Sequence, residues 1–204
     1  MSTPRFVADL HMGHRNIYKY RPVFKSTLHN DYFFMEVLES VCTKRDIMYF
    51  LGDILFDKKY LGFIKSLPGT KILIPGNHCT EYISMKELAN TFDDVHASLK
   101  KNGFWLTHIP IHDDELRGKP NIHGHVHASS IHSSDHLNVS VDSSFMKYYP
   151  RTLDECRLAI QHQQENNTYF PGIANFEAED IILDNSETSE IYKRTLNKSK
   201  TITV

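Results

Sequence analysis

Residues 5–11 read Arg-Phe-Val-Ala-Asp-Leu-His, an apolar run that ends in two side chains able to bind metal. Arg5–Leu10 has the length and content of a strand. Residues two apart on a strand share a face, so Asp9 and His11 are expected to project together. The same design recurs downstream. Asp46–Leu51 runs into Gly52-Asp53, and Lys71–Pro75 runs into Gly76-Asn77-His78. Phe104–His108 ends in Thr107-His108, and Asn121–His125 continues as Gly124-His125-Val126-His127, so His125 and His127 form a second pair two apart. In open α/β sheets ligands bind beyond the carboxyl ends of strands, so five such ends can meet in one crevice.

Amphipathic stretches separate these runs. Helices are expected at Asp31–Cys42, around Lys58–Ser66, near Ser84–Thr91 and over Thr152–Gln164, and further strands at Val95–Leu99 and Leu137–Val141. Thr152 with Glu155 three residues on has the capping-box pattern. The alternation predicts an α/β fold, a mixed sheet or two packed sheets with helices outside. Residues 1–165 read as one domain. Residues 166–204 are a polar extension with scattered aromatics and a β-like Ile181–Leu183; a docked segment, an edge strand and a partly disordered tail all fit it.

Bulk composition narrows the function classes. The 204 residues carry a net charge of −2, so no global positive field recruits nucleic acid, although a local basic patch stays open. No run reaches the roughly 18 apolar residues of a membrane span, and Asp9 falls where a signal peptide would have its apolar core. Cytoplasmic residence is the expectation. Three cysteines without paired spacing suggest reduced thiols. Thirteen histidines are the unusual number, and their position after strands gives them meaning.

Asp, Asn and His suit zinc, manganese or iron, and no thiolate pattern points to a Cys-rich zinc site. Two divalent ions about 3.5–4 Å apart can share a hydroxide and neutralise a phosphoryl oxygen. A carboxylate such as Asp53 is a natural bridge. Gly52, Gly76 and Gly124 beside the ligands let the backbone turn tightly.

The ordered set Asp9-x-His11, Gly52-Asp53, Gly76-Asn77-His78, His108 and Gly124-His125-x-His127 resembles the signature of the calcineurin-like metallophosphoesterases. The opening Asp9-Leu-His-Met-Gly-His14-Arg-Asn16 is similar to their compact bacterial and phage branch. The resemblance implies a two-sheet β-sandwich flanked by helices, in four α/β/β/α layers. It implies that Asp9, His11 and His127 hold a first metal, that Asn77, His108 and His125 hold a second, and that Asp53 bridges them. His78 would contact the phosphate and protonate the leaving oxygen. The implied cofactors are two divalent ions (manganese, iron, zinc or nickel, with manganese expected in vitro), and the implied substrate is a phosphate ester, nucleotide-like by preference. One departure stands out. The family writes an acid after Gly-Asn-His, and this chain has Cys79, which puts the proton-donor role in doubt more than metal binding.

Some positions carry two readings. His112 competes weakly with His108, and His123 reads as a packing residue. His14, Arg15, Asn16 and Arg21 are candidates for substrate binding; Arg15 and Arg21 fit a phosphate grip and an ordinary solvated charge face equally well. The expected activity is hydrolysis of a phosphodiester or phosphomonoester by a metal-bridging hydroxide. The competing reading is a non-catalytic scaffold of the same fold that binds a protein partner.

Overall fold

The structure, a computed structural model, describes residues 2–171 and 186–201. Two sheets form its centre. The first has the strand order β4-β3-β2-β1-β9, with β1 (Pro4–Val7), β2 (Ile47–Phe50), β3 (Thr70–Leu73) and β4 (Asp94–Val95) parallel and β9 (Arg151–Thr152) antiparallel at the edge. The second has the order β5-β6-β7-β8: β5 (Leu99–Lys101) pairs antiparallel with β6 (Phe104–Leu106), while β6, β7 (Asn121–His123) and β8 (His136–Asn138) run parallel. The expected Val95–Leu99 strand is therefore two short ones, split at a change of sheet.

The sheets are joined one residue before Asp9. The chain leaving β8 donates and accepts around Ala8: Ala8 N–H bonds the Val139 carbonyl at 2.9 Å, and Val141 N–H bonds the Ala8 carbonyl at 3.1 Å. Val139 N–H is meanwhile bonded to His123 of β7 at 2.7 Å. A single run thus pairs with one sheet and then the other.

Helices lie outside, as in the two-sheet arrangement the sequence predicts. A short helix α1 (Ile17–Tyr20) and a long one, α2 (Thr27–Val41), follow β1. α2 begins four residues before its expected start because the Ser26 side chain accepts from His29 N–H and caps it. It buries Phe33, Phe34, Val37, Leu38 and Val41 at helical spacing. After a 3₁₀ turn at Lys58–Tyr60 come α3 (Leu61–Ser66), α4 (Cys79–Tyr82), α5 (Met85–Thr91), α6 (Asp113–Leu116) and α7 (Leu153–Asn166). The capping box of Thr152 and Glu155 is formed at the head of α7.

The polar C-terminal region contains a helix, α8 (Ser186–Thr201), packed on α2. Its apolar stripe of Ile191 and Tyr192 is buried against α2, Tyr192 O–H donates to the Val23 carbonyl at 2.7 Å, and Arg194 pairs with Glu36. Alternation over a short span drew attention to Ile181–Leu183 instead, which lies outside the described residues. Among the described residues no helix is long and apolar enough to cross a membrane.

Candidate metal centre

Every sequence-predicted ligand follows a strand, but none rides on a strand face. β1 ends at Val7 and β7 at His123, so Asp9, His11, His125 and His127 stand on the turns beyond. Asp9, His11, Asp53, His125 and His127 have φ of 59°, 51°, 52°, 74° and 52°, all in the left-handed region. The shared-face reading of the paired ligands is thereby corrected: turns gather them, not the pleat. Such backbone costs on the order of 1–3 kcal/mol per non-glycine residue and persists where surroundings fix it.

The fixing bonds are local. The turns after β1 and β2 zip together through Asp9 N–H to the Gly52 carbonyl and His11 N–H to the Asp53 carbonyl, both 3.0 Å. Arg21 ties the first turn from behind, donating to the Asp9 carbonyl at 2.5 Å and the Leu10 carbonyl at 3.1 Å. Asp9 Oδ2 accepts from His125 N–H at 2.9 Å and from the Ser140 hydroxyl at 2.8 Å, which joins the two sheets' turns. Gly124 must be glycine here, since a Cβ would lie 2.6 Å from both the Ala8 Cβ and Asp9 Oδ2. At Gly52, with φ of +89°, a Cβ would collide with the His108 imidazole.

These turns bring the donors together. Asp9, His11 and His127 form one group and Asp9, Asp53 and His108 another, each with its ligand atoms within 4.8 Å of one another. Asp9 is common to both. Asn77 Oδ1 lies 2.9 Å from His108 Nε2 and 2.9 Å from His125 Nδ1, and Asp53 Oδ2 lies 3.3 Å from His108 Nε2. All seven expected ligands thus converge. His112 does not; it is exposed and caps α6. His123 is buried against His136, with ring centroids 5.6 Å apart.

Two observations test whether a cation fits. Asp9 Oδ1 and His11 Nε2 are buried without a hydrogen-bond partner and lie 3.7 Å apart. Buried polar atoms are nearly always satisfied, so this pair marks a place for a ligand that accepts both lone pairs. The tautomers agree. His108 Nδ1–H donates to the Leu51 carbonyl at 2.8 Å and His127 Nδ1–H to Asp142 Oδ2 at 3.2 Å, so Nε2 is the nitrogen each turns toward the donor groups, that of His108 lying among the oxygens of Asn77 and Asp53. The donors are oxygen and imidazole nitrogen, which suits a divalent first-row ion.

Electrostatics follow from this crowding. Burial works to raise the Asp9 carboxyl, but the His11, His127 and His108 imidazoles hold it down to about 2. Burial works the same way on Asp53, and His108 outweighs it, so that carboxyl too is lowered. Burial lowers His11 and His125. It would lower His108 and His127 as well, but Asp53 and Asp142 respectively raise them. Metals bind ionised carboxylates and neutral imidazoles, so the shifts of Asp9, Asp53, His11 and His125 favour the ligating form, whereas His108 and His127 would have to give up a proton to a metal.

The surrounding residues divide. His14, Arg15 and Asn16 line the cleft beside the centre. Arg21 does not grip substrate: it is 1% exposed, and its guanidinium is committed to Asp142, Asn30 and the backbone of Asp9 and Leu10. Its long stem and five donors make it a buried brace. Cys79 is buried, its sulfur accepting from Asp53 N–H at 3.3 Å and Gly76 N–H at 3.2 Å, and burial pushes the thiol up to about 11. The acid that position 79 lacks is two residues on: Glu81 Oε1 accepts from His78 Nδ1 at 2.7 Å across one turn of α4.

Asp142 and Glu81 escaped sequence reasoning. Asp142 directly follows the Leu137–Val141 run, the same signal that picked out the ligands. Glu81 is set by a three-residue helical spacing that an adjacent-residue motif does not contain.

The sequence profile of the calcineurin-like phosphoesterases matches residues 5–184. Over 162 residues the chain is 28% identical to the uncharacterized protein MJ1445 of Methanocaldococcus jannaschii, covering 72% of this chain and 85% of that protein. It is 35% identical over 83 residues to the Gene 66 protein of Mycobacterium phage L5, a match spanning 38% of this chain and 40% of the phage protein. Among solved structures, a protein of unknown function, AQ665 from Aquifex aeolicus, superposes with a TM-score of 0.61 at 27% identity, covering 78% of this chain and 99% of that one.

Proposed function

The chain belongs to the calcineurin-like phosphoesterase family, and from that premise we propose that it hydrolyses a phosphate ester, a nucleotide-like phosphodiester by preference, at the centre built around Asp9. The carrying observation is the buried, unpartnered pair Asp9 Oδ1 and His11 Nε2 inside two ligand groups that share Asp9.

In this reading Asp9, His11 and His127 would hold one divalent ion, Asn77, His108 and His125 would hold another, and Asp53 would serve both. When bound, such a pair lowers the pKa of a water and neutralises phosphoryl oxygens. Asp142 and Leu51 orient the imidazoles of His127 and His108 through their Nδ1–H groups. His78, oriented by Glu81 through Nδ1, uses Nε2 to hand a proton to the leaving oxygen, help that typically contributes about 10²–10⁴-fold. Arg15, Asn16 and His14 face the substrate. Manganese is the ion we assign for activity in vitro, and the cytoplasm the compartment.

Purified protein loaded with manganese should retain metal and hydrolyse bis(p-nitrophenyl) phosphate. Asp53→Asn and His127→Ala should abolish turnover with an unchanged circular dichroism spectrum. Full activity in either variant would remove the assignment.

A further inference from the structure

Two grooves meet at His14 and differ in chemistry; the smaller includes His11 and His127 in its lining, and the larger adjoins them through Phe56, whose ring stacks on His11 at 4.7 Å. The larger, about 620 Å³, is lined by Arg15, Asn16, Phe56, Lys58 and Tyr82. The smaller, about 440 Å³, is lined by Ile17, Tyr20, Val126 and Ala128 together with the ligands His11 and His127. His14 lines both and forms the ridge between them, its ring edge-on to Phe56 at 5.0 Å and to Tyr20 at 6.1 Å. A phosphorus atom at the metals therefore has somewhere to send a substituent on each side. A monoester would use only one.

The linings say what each substituent is. In the larger groove the Arg15 guanidinium has no ion-pair partner among the described residues. The acid of that groove, Asp57, is already engaged with Lys59 at 3.3 Å, and Lys58 is bridged to Glu87 at 2.9 Å. An anion is the complement of such a free guanidinium. The smaller groove presents apolar side chains and the ring of Tyr20, which is 76% exposed and so offers a free face. Every nucleobase has a π-face that stacks on such a ring.

Building on the hydrolase reading above, we propose that the substrate is a short single-stranded oligonucleotide. The scissile phosphodiester has one nucleoside stacked on Tyr20 in the apolar groove and a further phosphate held by Arg15 in the polar one. The direction of cleavage follows from His78. Its ring lies nearer Phe56 of the polar groove, at 5.6 Å, than His11 of the apolar one, at 6.3 Å, and the leaving oxygen is accordingly placed on the Phe56 side. Water's hydroxyl bonds to phosphorus as the bond to this oxygen breaks, and water's other proton reaches it by way of His78. The nucleoside in the apolar groove departs as a monophosphate.

The test separates binding from turnover. An all-phosphorothioate trithymidylate is titrated calorimetrically into manganese-loaded protein and into Tyr20→Ala, Tyr20→Phe and Arg15→Ala. Stacking of one base corresponds to about 5- to 150-fold in affinity. Tyr20→Ala should weaken binding in that range, and Tyr20→Phe should restore it. Arg15→Ala should weaken binding and flatten its salt dependence. Phosphodiester trithymidylate should also be cleaved with a higher kcat/KM than bis(p-nitrophenyl) phosphate. If bis(p-nitrophenyl) phosphate is hydrolysed while trithymidylate neither binds with Tyr20 and Arg15 dependence nor is preferred, the groove assignment is overturned and the hydrolase stands. If trithymidylate binds with that dependence but no phosphate ester is hydrolysed, the grooves are supported and the hydrolase reading falls. Thymidine monophosphate binding as tightly as trithymidylate overturns the outer-phosphate site.

Discussion

Asp142 serves Arg21 and His127 with one oxygen: its Oδ2 lies 2.9 Å from Arg21 Nε and 3.2 Å from His127 Nδ1. Burial works to raise this carboxyl, but the Arg21 charge and the His127 contact hold it far below the usual carboxylate range. It therefore stays ionised and keeps His127 in the tautomer that ligates through Nε2. Arg21 in turn clamps the carbonyl of Asp9, so one linked triad fixes candidate ligands from the turns of both sheets.

Asp142→Asn should accordingly lower metal affinity by about 10- to 100-fold, the usual effect of removing a group that orients a ligand. Metal titration followed by calorimetry measures it, with circular dichroism confirming the fold. Unchanged affinity in folded protein would mean that His127 needs no orienting carboxylate.

Glu81→Gln tests the displaced acid. The variant should lose about tenfold in kcat on esters with a poor alkyl leaving group, and little on p-nitrophenyl esters, whose leaving oxygen needs no proton. His78→Ala should show the same split more strongly, and Glu81→Gln added to it should cost nothing further. Equal losses on both leaving groups would assign Glu81 a structural role only.

The three cysteines should be silent in the native state. Cys42, Cys79 and Cys156 are buried, and burial pushes Cys42 and Cys79 up to about 11 and Cys156 higher still. The thiolate is the reactive form. At pH 8 a disulfide reagent should titrate no thiol in folded protein and three after denaturation; rapid native reaction of one thiol would contradict the packing around Cys79.

Acid should loosen the C-terminal helix. His29 is buried, accepting from Lys25 N–H at Nδ1 and donating from Nε2 to the Tyr192 carbonyl, both at 3.3 Å. Burial lowers it from 6.5 to about 4; the Tyr192 carbonyl opposes this, while the charges of Lys25 and Lys200 add to it. Between these values the unfolded chain binds the proton first, so stability is full above about pH 6.5 and falls as pH drops towards 4. The shift corresponds to at most about 3 kcal/mol. His29→Gln should flatten the pH dependence of Tm between pH 7 and 4.5, leaving the shares of His123, also lowered to about 4, and of His11, His14 and His125, which burial lowers as well. Hydrogen exchange in α8 should rise over the same window. An unaltered slope in the variant would exclude His29 as the source.

The convergence of the seven candidate ligands was legible because each follows an apolar run, a linear signal that needs no tertiary knowledge. Their backbone was not. Period-two spacing suggested that Asp9 with His11, and His125 with His127, share strand faces, whereas left-handed turns present them. Nothing in a sequence distinguishes those two ways of aiming alternate residues. Arg21 was ambiguous for a related reason: an arginine's charge is visible in sequence and its burial is not, and here Asp142, 121 positions away, makes burial tolerable. The helix at 186–201 was obscured by its polar composition, since only a narrow stripe including Ile191 and Tyr192 meets α2.

The run that bonds Ala8 on both sides has a mechanical corollary. Because Val139 and Val141 grasp the residue immediately preceding Asp9, the two halves of the molecule cannot slide past each other without shearing the cation pocket. In metal-loaded protein, loss of metal and parting of the sheets should then be a single event on heating, and chelation should bring both forward together.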